Sequence, residues 1–233
     1  PIIGCRGILR MTPFRDVFVT SGAGVGGGSI VYANTLYRAK DEYFENPQWA
    51  QLGDWQSELE PHYTEAERML GVTDVPFESP GDALLAEIAS EFGVEETFRR
   101  TPVGVYFGEE GATVPDPYFD GEGPDRTGCT RCGACMVGCR EGAKNTLVKN
   151  YLYFAEKKGA AIHPEREVYD VRPLGAADGS EGYRVDTRYP GAWFNKQHKS
   201  FSARGVVFSA GALGTNRLLA RCKHTGSLPN ISD

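Results

Sequence analysis

A glycine-rich run near the start of the chain constrains the fold more than any other feature of the sequence. Five glycines fall within the seven residues 22–28, directly after the apolar and β-branched stretch 16–20. Glycine has no Cβ atom, so such a backbone can adopt positive φ and lie close against a flat or anionic ligand. A flexible linker is also glycine-rich, but it does not usually separate two β-type runs, here 16–20 and 30–32. The run therefore predicts a ligand-binding loop.

The composition is that of an ordinary globular protein. The 233 residues suffice for one large domain or two small ones, and 40% are hydrophobic and 24% charged. A net charge of −6 argues against a nucleic-acid-binding surface. No apolar stretch approaches the roughly 20 residues of a membrane span, so no transmembrane segment is predicted. No secretory leader is recognisable and the chain opens with Pro1, so we expect a processed chain or a fragment.

Hydrophobic periodicity and turn residues predict a mixed α/β fold. Residues 79–82 resemble a capping box with Pro80 at the first helical position, and they begin a predicted helix that ends at Gly93. The alternating runs 166–174 and 182–189 predict a β-hairpin. The remaining predicted elements are strands at 16–20 and 204–210, and helices within 41–70, at 145–158 and at 215–221. A strand, a glycine turn and a helix in succession are typical of the ligand-binding edge of an open α/β sheet.

The residues 22–27 also match the dinucleotide fingerprint G-x-G-x-x-G letter for letter. That fingerprint should open a helix and be followed about 20 residues later by an acidic residue at the end of a second strand. Here the run leads into β-branched and aromatic residues, and Asp41 and Glu42 lie in a polar, helix-compatible stretch. The context favours a glycine-lined wall against a cofactor over a nicotinamide-binding Rossmann turn.

Three longer motifs resemble one enzyme family. Residues 25–34 (VGGGSIVYAN) resemble the internal glycine-rich signature of the glucose-methanol-choline (GMC) flavin oxidoreductases. Residues 206–219 (VVFSAGALGTNRLL) resemble the later strand-turn-helix signature of the same family. The segment 221–230 (RCKHTGSLPN) is similar to the cholesterol oxidase-like branch. Two long motifs in the expected order, about 180 residues apart, identify the chain as a GMC family member.

The resemblance implies an FAD-dependent oxidoreductase that oxidises an alcohol by hydride transfer to the flavin. The expected substrate is a sterol or another apolar alcohol, and the expected electron acceptor is O₂ or an unidentified compound. The family places its dinucleotide fingerprint upstream of these motifs and its catalytic His and base downstream. We therefore expect an internal fragment without catalytic residues. It would hold a partial FAD-binding Rossmann-like domain, 1–40 and 140–233, with an inserted, partly helical substrate-domain or lid segment, 41–139.

By motif position, the resemblance also implies the residues that contact FAD. Gly27, Gly28 and Ser29 would approach the pyrophosphate and the isoalloxazine side. The full set of implied cofactor-binding residues is Gly24, Gly27, Gly28, Ser29, Tyr32, Ala33, Asn34, Thr35, Val168, Ala210 and Gly211. Tyr32, Ala33 and Thr35 depart from the Asn, Gly and Met of the cholesterol oxidase pattern, and Asn34 would supply the amide instead. For Gly211, close packing of strand on helix explains the glycine equally well.

Four cysteines, Cys129, Cys132, Cys135 and Cys139, have the spacing of a ferredoxin motif. Three interpretations stay open: an iron-sulfur cluster or zinc site, half-buried structural thiols beside the flavin, and disulfides. In ferredoxins the fourth cysteine serves another cluster, so a single cluster here would need Cys139 or a remote Cys5 or Cys222. The rival function is an iron-sulfur electron-transfer module associated with a flavoenzyme. A dense thiol run favours a reducing compartment, and we expect a cytoplasmic protein.

Overall fold

The computed structural model describes residues 7–232 and divides them into two compact units. The first unit comprises Gly7–Ile162, and the second comprises the chain from His163 onward. Both units contain helices and strands, so the predicted mixture of helix and strand is confirmed. The named strands of the described residues pair in antiparallel fashion, which leaves the Rossmann-like arrangement a prediction.

The first unit contains three small two-stranded sheets and four α-helices. In chain order the elements are β1 (Leu9–Pro13), β2 (Phe18–Gly22), α1 (Asp41–Phe44), α2 (Trp55–Leu70), β3 (Thr73–Asp74), α3 (Pro80–Glu91), β4 (Pro102–Val103), β5 (Thr113–Val114), β6 (Arg126–Thr127) and α4 (Tyr151–Lys157). The strands pair as β1 with β2, β3 with β4, and β5 with β6. The other regular elements of this unit are short 3₁₀ turns.

Helix α3 begins as the sequence predicts. The Ser79 Oγ accepts a hydrogen bond from the Asp82 backbone N–H, and the Asp82 carboxylate accepts one from the Ser79 backbone N–H. Two of the unpaired N–H groups at the helix start are thereby satisfied. The apolar face predicted for this helix is exposed, with Leu84 60% and Phe92 76% accessible. Nothing in the described residues covers that face.

The core of the first unit forms around Val103, Val105 and Ala143, each at most 3% exposed. Val103 ends β4, Val105 follows two residues later, and Ala143 lies in the segment after the cysteine run. The Tyr106 N–H donates to the Ala143 carbonyl at 2.9 Å, and the Asn145 N–H donates to the Gly104 carbonyl at 2.8 Å. Backbone pairing thus carries residues 143–145 into the interior, where Lys144 and Asn145 become fully buried.

The second unit is a three-stranded antiparallel meander with one helix. Strands β7 (Glu167–Pro173), β8 (Tyr183–Arg188) and β9 (Lys199–Ala203) lie in that order, and α5 (Gly211–His224) packs against β7. The predicted hairpin is confirmed as β7 and β8. The predicted strand at 204–210 is wrong, because β9 ends before it and pairs with β8 instead. Val207 accordingly lies 88% exposed.

A buried carboxylate in this sheet makes the stability of the second unit depend on acid pH. Burial alone would raise the pKa of Asp186, but hydrogen bonds from Ser200, Arg172 and Arg184 outweigh it and lower the pKa to about 2. A free aspartate titrates near 3.9, so this stabilisation of about 2.6 kcal/mol is complete above pH ~5. It is lost as the pH falls through ~2. Urea unfolding between pH 2 and 6 should show this loss.

Asp186→Asn is expected to flatten that acid limb, since no carboxylate remains to be protonated. Glu165→Gln, on the exposed turn before β7, is the matched control and should keep the wild-type pH profile. An Asp186→Asn protein with an unchanged acid limb would show that the Asp186 hydrogen bonds contribute nothing to stability.

Candidate functional site

The glycine segment, residues 22–35, forms a tight turn after β2. Gly26 and Gly27 have φ of 101° and 55°, which only glycine adopts without strain, and a 3₁₀ turn follows over Gly27–Ile30. A Cβ on Gly22 would lie 2.2 Å from the Gly27 carbonyl oxygen, so Gly22 is required by close backbone packing. The segment leads into this 3₁₀ turn, whereas a dinucleotide fingerprint opens an α-helix.

Two glycines of the segment are not required by side-chain packing within the described chain. A Cβ built on Gly27 or Gly28 meets no protein atom within 4 Å. Gly27 also needs its positive φ, but Gly28 lies outside the left-handed region and could be any residue on backbone grounds. The backbone here is left bare toward open space, as expected where a flat cofactor lies against it. Gly24 differs, because its Cβ would lie 3.0 Å from the Ile30 side chain.

Ser29 connects the turn to a second segment. Its Oγ donates to the Gly26 carbonyl at 2.7 Å and accepts from the Leu147 N–H at 2.9 Å. The hydroxyl proton of Ser29 and one of the two lone pairs of its oxygen are therefore already used in these hydrogen bonds. We conclude that Ser29 positions the glycine turn on the 3₁₀ turn Leu147–Lys149.

The residues after the turn alternate between inward and outward positions. The Tyr32 hydroxyl donates to the Asn145 carbonyl at 2.9 Å, and burial, followed by the nearby Cys135 thiol, raises the pKa of Tyr32 to about 12. Ala33 and Thr35 are exposed. Asn34 has a left-handed φ of 60°, and its carbonyl accepts from the Gly104 N–H. Tyr32 thus anchors the segment, whereas Ala33 and Thr35 are open to a ligand.

The other predicted cofactor residues lie in the second unit. Val168 is in β7 opposite Thr187 and is 36% exposed. Ala210 precedes α5, and its N–H donates to the Thr215 hydroxyl at 3.0 Å. Gly211 has a φ of 71°, and a Cβ on it would meet no atom within 4 Å. Close packing therefore does not explain Gly211, and its positive φ does.

The Cys loop, residues 129–139, brings four thiols to one small cavity of about 20 Å³. Within residues 7–232 no group of three or more His, Cys, Asp or Glu side chains is arranged to hold a metal ion. The prediction that Cys129, Cys132, Cys135 and Cys139 are metal ligands thus has no support, and Cys5 lies outside the described residues. All five described cysteines are free thiols. The interpretation as half-buried thiols agrees with this arrangement.

The buried position of Lys144 is not evident from the sequence. It is 1% exposed, and its Nζ donates to the Tyr32 carbonyl at 2.6 Å and to the Cys135 carbonyl at 2.9 Å. The ammonium also lies 4.3 Å from the centre of the Tyr32 ring. Burial lowers the pKa of Lys144. Lys144 therefore joins the glycine segment to the Cys loop through one buried cation.

A larger cleft of about 550 Å³ opens elsewhere in the first unit, beside α2 and α4. Four aromatic side chains border it, those of Tyr118, Phe119, Tyr151 and Phe154. Phe107 packs against the core around Val105.

Among the described residues, no helix combines the length and apolar character that crossing a bilayer requires.

Comparison with known proteins shows which family the chain is similar to. Residues 123–224 match the family model of the GMC oxidoreductases. A cholesterol oxidase from Acinetobacter baumannii is 53% identical over 232 residues, which is 97% of this chain and 42% of the relative. A cholesterol oxidase from Mycobacterium tuberculosis is 47% identical over 238 residues, which covers the whole chain and 40% of the relative. The chain thus spans about two fifths of these relatives, and over that length it is similar to members of the GMC oxidoreductase family.

Proposed function

We propose that the protein to which this chain belongs is an FAD-dependent oxidoreductase that acts on the CH–OH group of a sterol or another apolar alcohol. The observation that carries the proposal is the bare backbone at Gly27 and Gly28, within residues 25–34, which resemble the glycine-rich signature of a flavoenzyme family. The relatives are named cholesterol oxidases, which favours a sterol and O₂ as reaction partners. Bound FAD would supply the acceptor for the hydride that leaves the alcohol carbon.

The residues of this chain would contribute binding rather than acid–base catalysis. Gly27 and Gly28 would present backbone to the cofactor, while hydrogen bonds of Ser29 and Lys144 hold the glycine segment in place. We further propose that 1–40 and 140–233 belong to a Rossmann-like FAD-binding domain and that 41–139 belong to a substrate-domain or lid segment. We also propose a reducing, cytoplasmic location, because the described thiols are free.

The proposal is tested on the full-length protein. Purified material should be yellow, and denaturation should release FAD in a ratio near one per chain. Anaerobic addition of a 3β-hydroxysteroid should bleach the flavin absorbance, whereas the matched 3-ketosteroid should not. A colourless protein whose denatured extract contains no FAD would refute the function. A flavoprotein that is reduced only by other alcohols would refute the sterol assignment alone.

A further inference from the structure

The proposed function does not account for the Cys loop. Its four thiols border one cavity together with Val105, Ala143 and Lys144. A volume of about 20 Å³ holds no more than one water molecule. The four cysteines therefore border one common space in the first unit, although no three such side chains of the described residues are arranged to hold a metal ion.

A backbone turn separates the first two cysteines of the loop. Arg131, between Cys129 and Cys132, has a left-handed φ of 56°. Its guanidinium pairs with Glu110 at 3.0 Å and lies 4.6 Å from the Phe77 ring centre, which fixes the turn. The Arg131 N–H donates to the Cys129 Sγ at 3.4 Å. The Cys129 sulfur is thereby held against the backbone of the turn that leads to Cys132.

The thiols differ in access to solvent. Cys132 is exposed, whereas Cys129, Cys135 and Cys139 are half-buried. Cys129 and Cys139 pack against the core of the first unit. Burial, followed by the neighbouring Cys139 thiol, raises the pKa of Cys135 although the Lys144 ammonium opposes this. A dissolved oxidant therefore meets Cys132 first, and the turn at Arg131 connects that thiol to Cys129.

We propose that Cys129 and Cys132 are a peroxide-reactive dithiol that closes to a disulfide. The Cys132 sulfur attacks one oxygen of hydrogen peroxide, the O–O bond breaks, and water leaves. The Cys129 sulfur then attacks the resulting Cys132 sulfenic acid, an S–S bond forms, the S–O bond breaks, and a second water leaves. The two thiols lose two electrons and two protons, and one peroxide is reduced to two waters.

The Cys loop lies next to the glycine segment that we assign to the flavin. Its 3₁₀ turn Cys135–Val137 packs against the turn Gly27–Ile30, and Lys144 bonds both segments. Hydrogen peroxide is the product when O₂ accepts the electrons of a reduced flavin. This supply of oxidant rests on the proposed function, whereas the reactivity of the dithiol does not.

The test adds hydrogen peroxide to the full-length protein, so that flavin activity is not needed. The protein is reduced, desalted without oxygen and treated with a small excess of peroxide, and its thiols are counted and mapped by peptide mass spectrometry. We expect the loss of two thiols, a Cys129–Cys132 link and recovery with dithiothreitol. Cys222, fully buried, should stay reduced and serves as the internal reference.

Matched serine variants identify the reacting pair. Cys132→Ser should slow the loss of thiols by about tenfold or more, since the exposed sulfur that reacts first is gone. Cys139→Ser, in the same loop but packed on the core, should react at the wild-type rate. Melting curves confirm that both variants fold.

Three results would overturn the inference. They are thiols that all survive the treatment, a disulfide between a different pair, and Cys132 that accumulates as the sulfinic acid with no disulfide. Because peroxide is added directly, a colourless protein that still forms the Cys129–Cys132 link would refute the flavin function and leave the dithiol intact.

Discussion

Gly28→Val is expected to remove most bound FAD while the protein stays folded. Valine adds bulk where no protein atom lies within 4 Å, and the backbone of Gly28 is outside the left-handed region, so the fold should tolerate it. The same bulk would occupy the space that we assign to the cofactor. We expect FAD binding to weaken by about a hundredfold, which is about 2.7 kcal/mol of binding free energy. The ratio of flavin to protein absorbance and the FAD dissociation constant measure the effect.

Two other glycines serve as controls for that experiment. Gly81→Val, in the first turn of α3, adds the same bulk in ordinary contact with Ser79, 3.5 Å away, and should retain FAD. Gly22→Ala places its Cβ 2.2 Å from the Gly27 carbonyl oxygen, so it should lower stability as well as binding. A folded Gly28→Val protein with full flavin occupancy would show that the bare backbone does not contact FAD.

Arg126→Met is expected to destabilise the protein by about 3–5 kcal/mol. The side chain is 1% exposed, and its guanidinium donates to the Asn145 Oδ1 at 2.9 Å, the Pro124 carbonyl at 2.6 Å and the Lys149 carbonyl at 2.8 Å. Its charge also lies 5.4 Å from the centre of the Tyr118 ring. Methionine fills much of the volume but leaves these acceptors without a donor. Each buried acceptor without a partner costs about 1–3 kcal/mol.

Chemical denaturation of the full-length protein measures this effect, with Arg68→Met as the control. The Arg68 guanidinium pairs with Glu65 on the surface of α2, where both side chains are about half exposed. Such pairs are typically worth less than about 1 kcal/mol. If the two methionine variants unfold at the same denaturant concentration, the buried hydrogen bonds of Arg126 do not stabilise the fold.

Local sequence signals predicted the elements that depend on adjacent residues. The capping box at Ser79 and Asp82 begins α3, and alternation predicted β7 and β8. The segment 204–210 shows the limit of that reasoning. Its apolar run is typical of a buried strand, yet the residues that pair with β8 are those of β9. A strand requires a partner, and within the described residues no strand pairs with 204–210.

The sequence by itself determined the family resemblance, the glycine turn and the Cys loop, because motif spacing and the need for positive φ are properties of short stretches. Only the tertiary structure decided which polar groups are buried. The Nζ of Lys144 binds the carbonyl of Tyr32, 112 residues away, and the Tyr32 hydroxyl binds the carbonyl of Asn145, 113 residues away. It also distinguished Gly28, which faces open space, from Gly22, which the backbone packs against. Burial and open space arise when distant segments meet, so no local pattern encodes them.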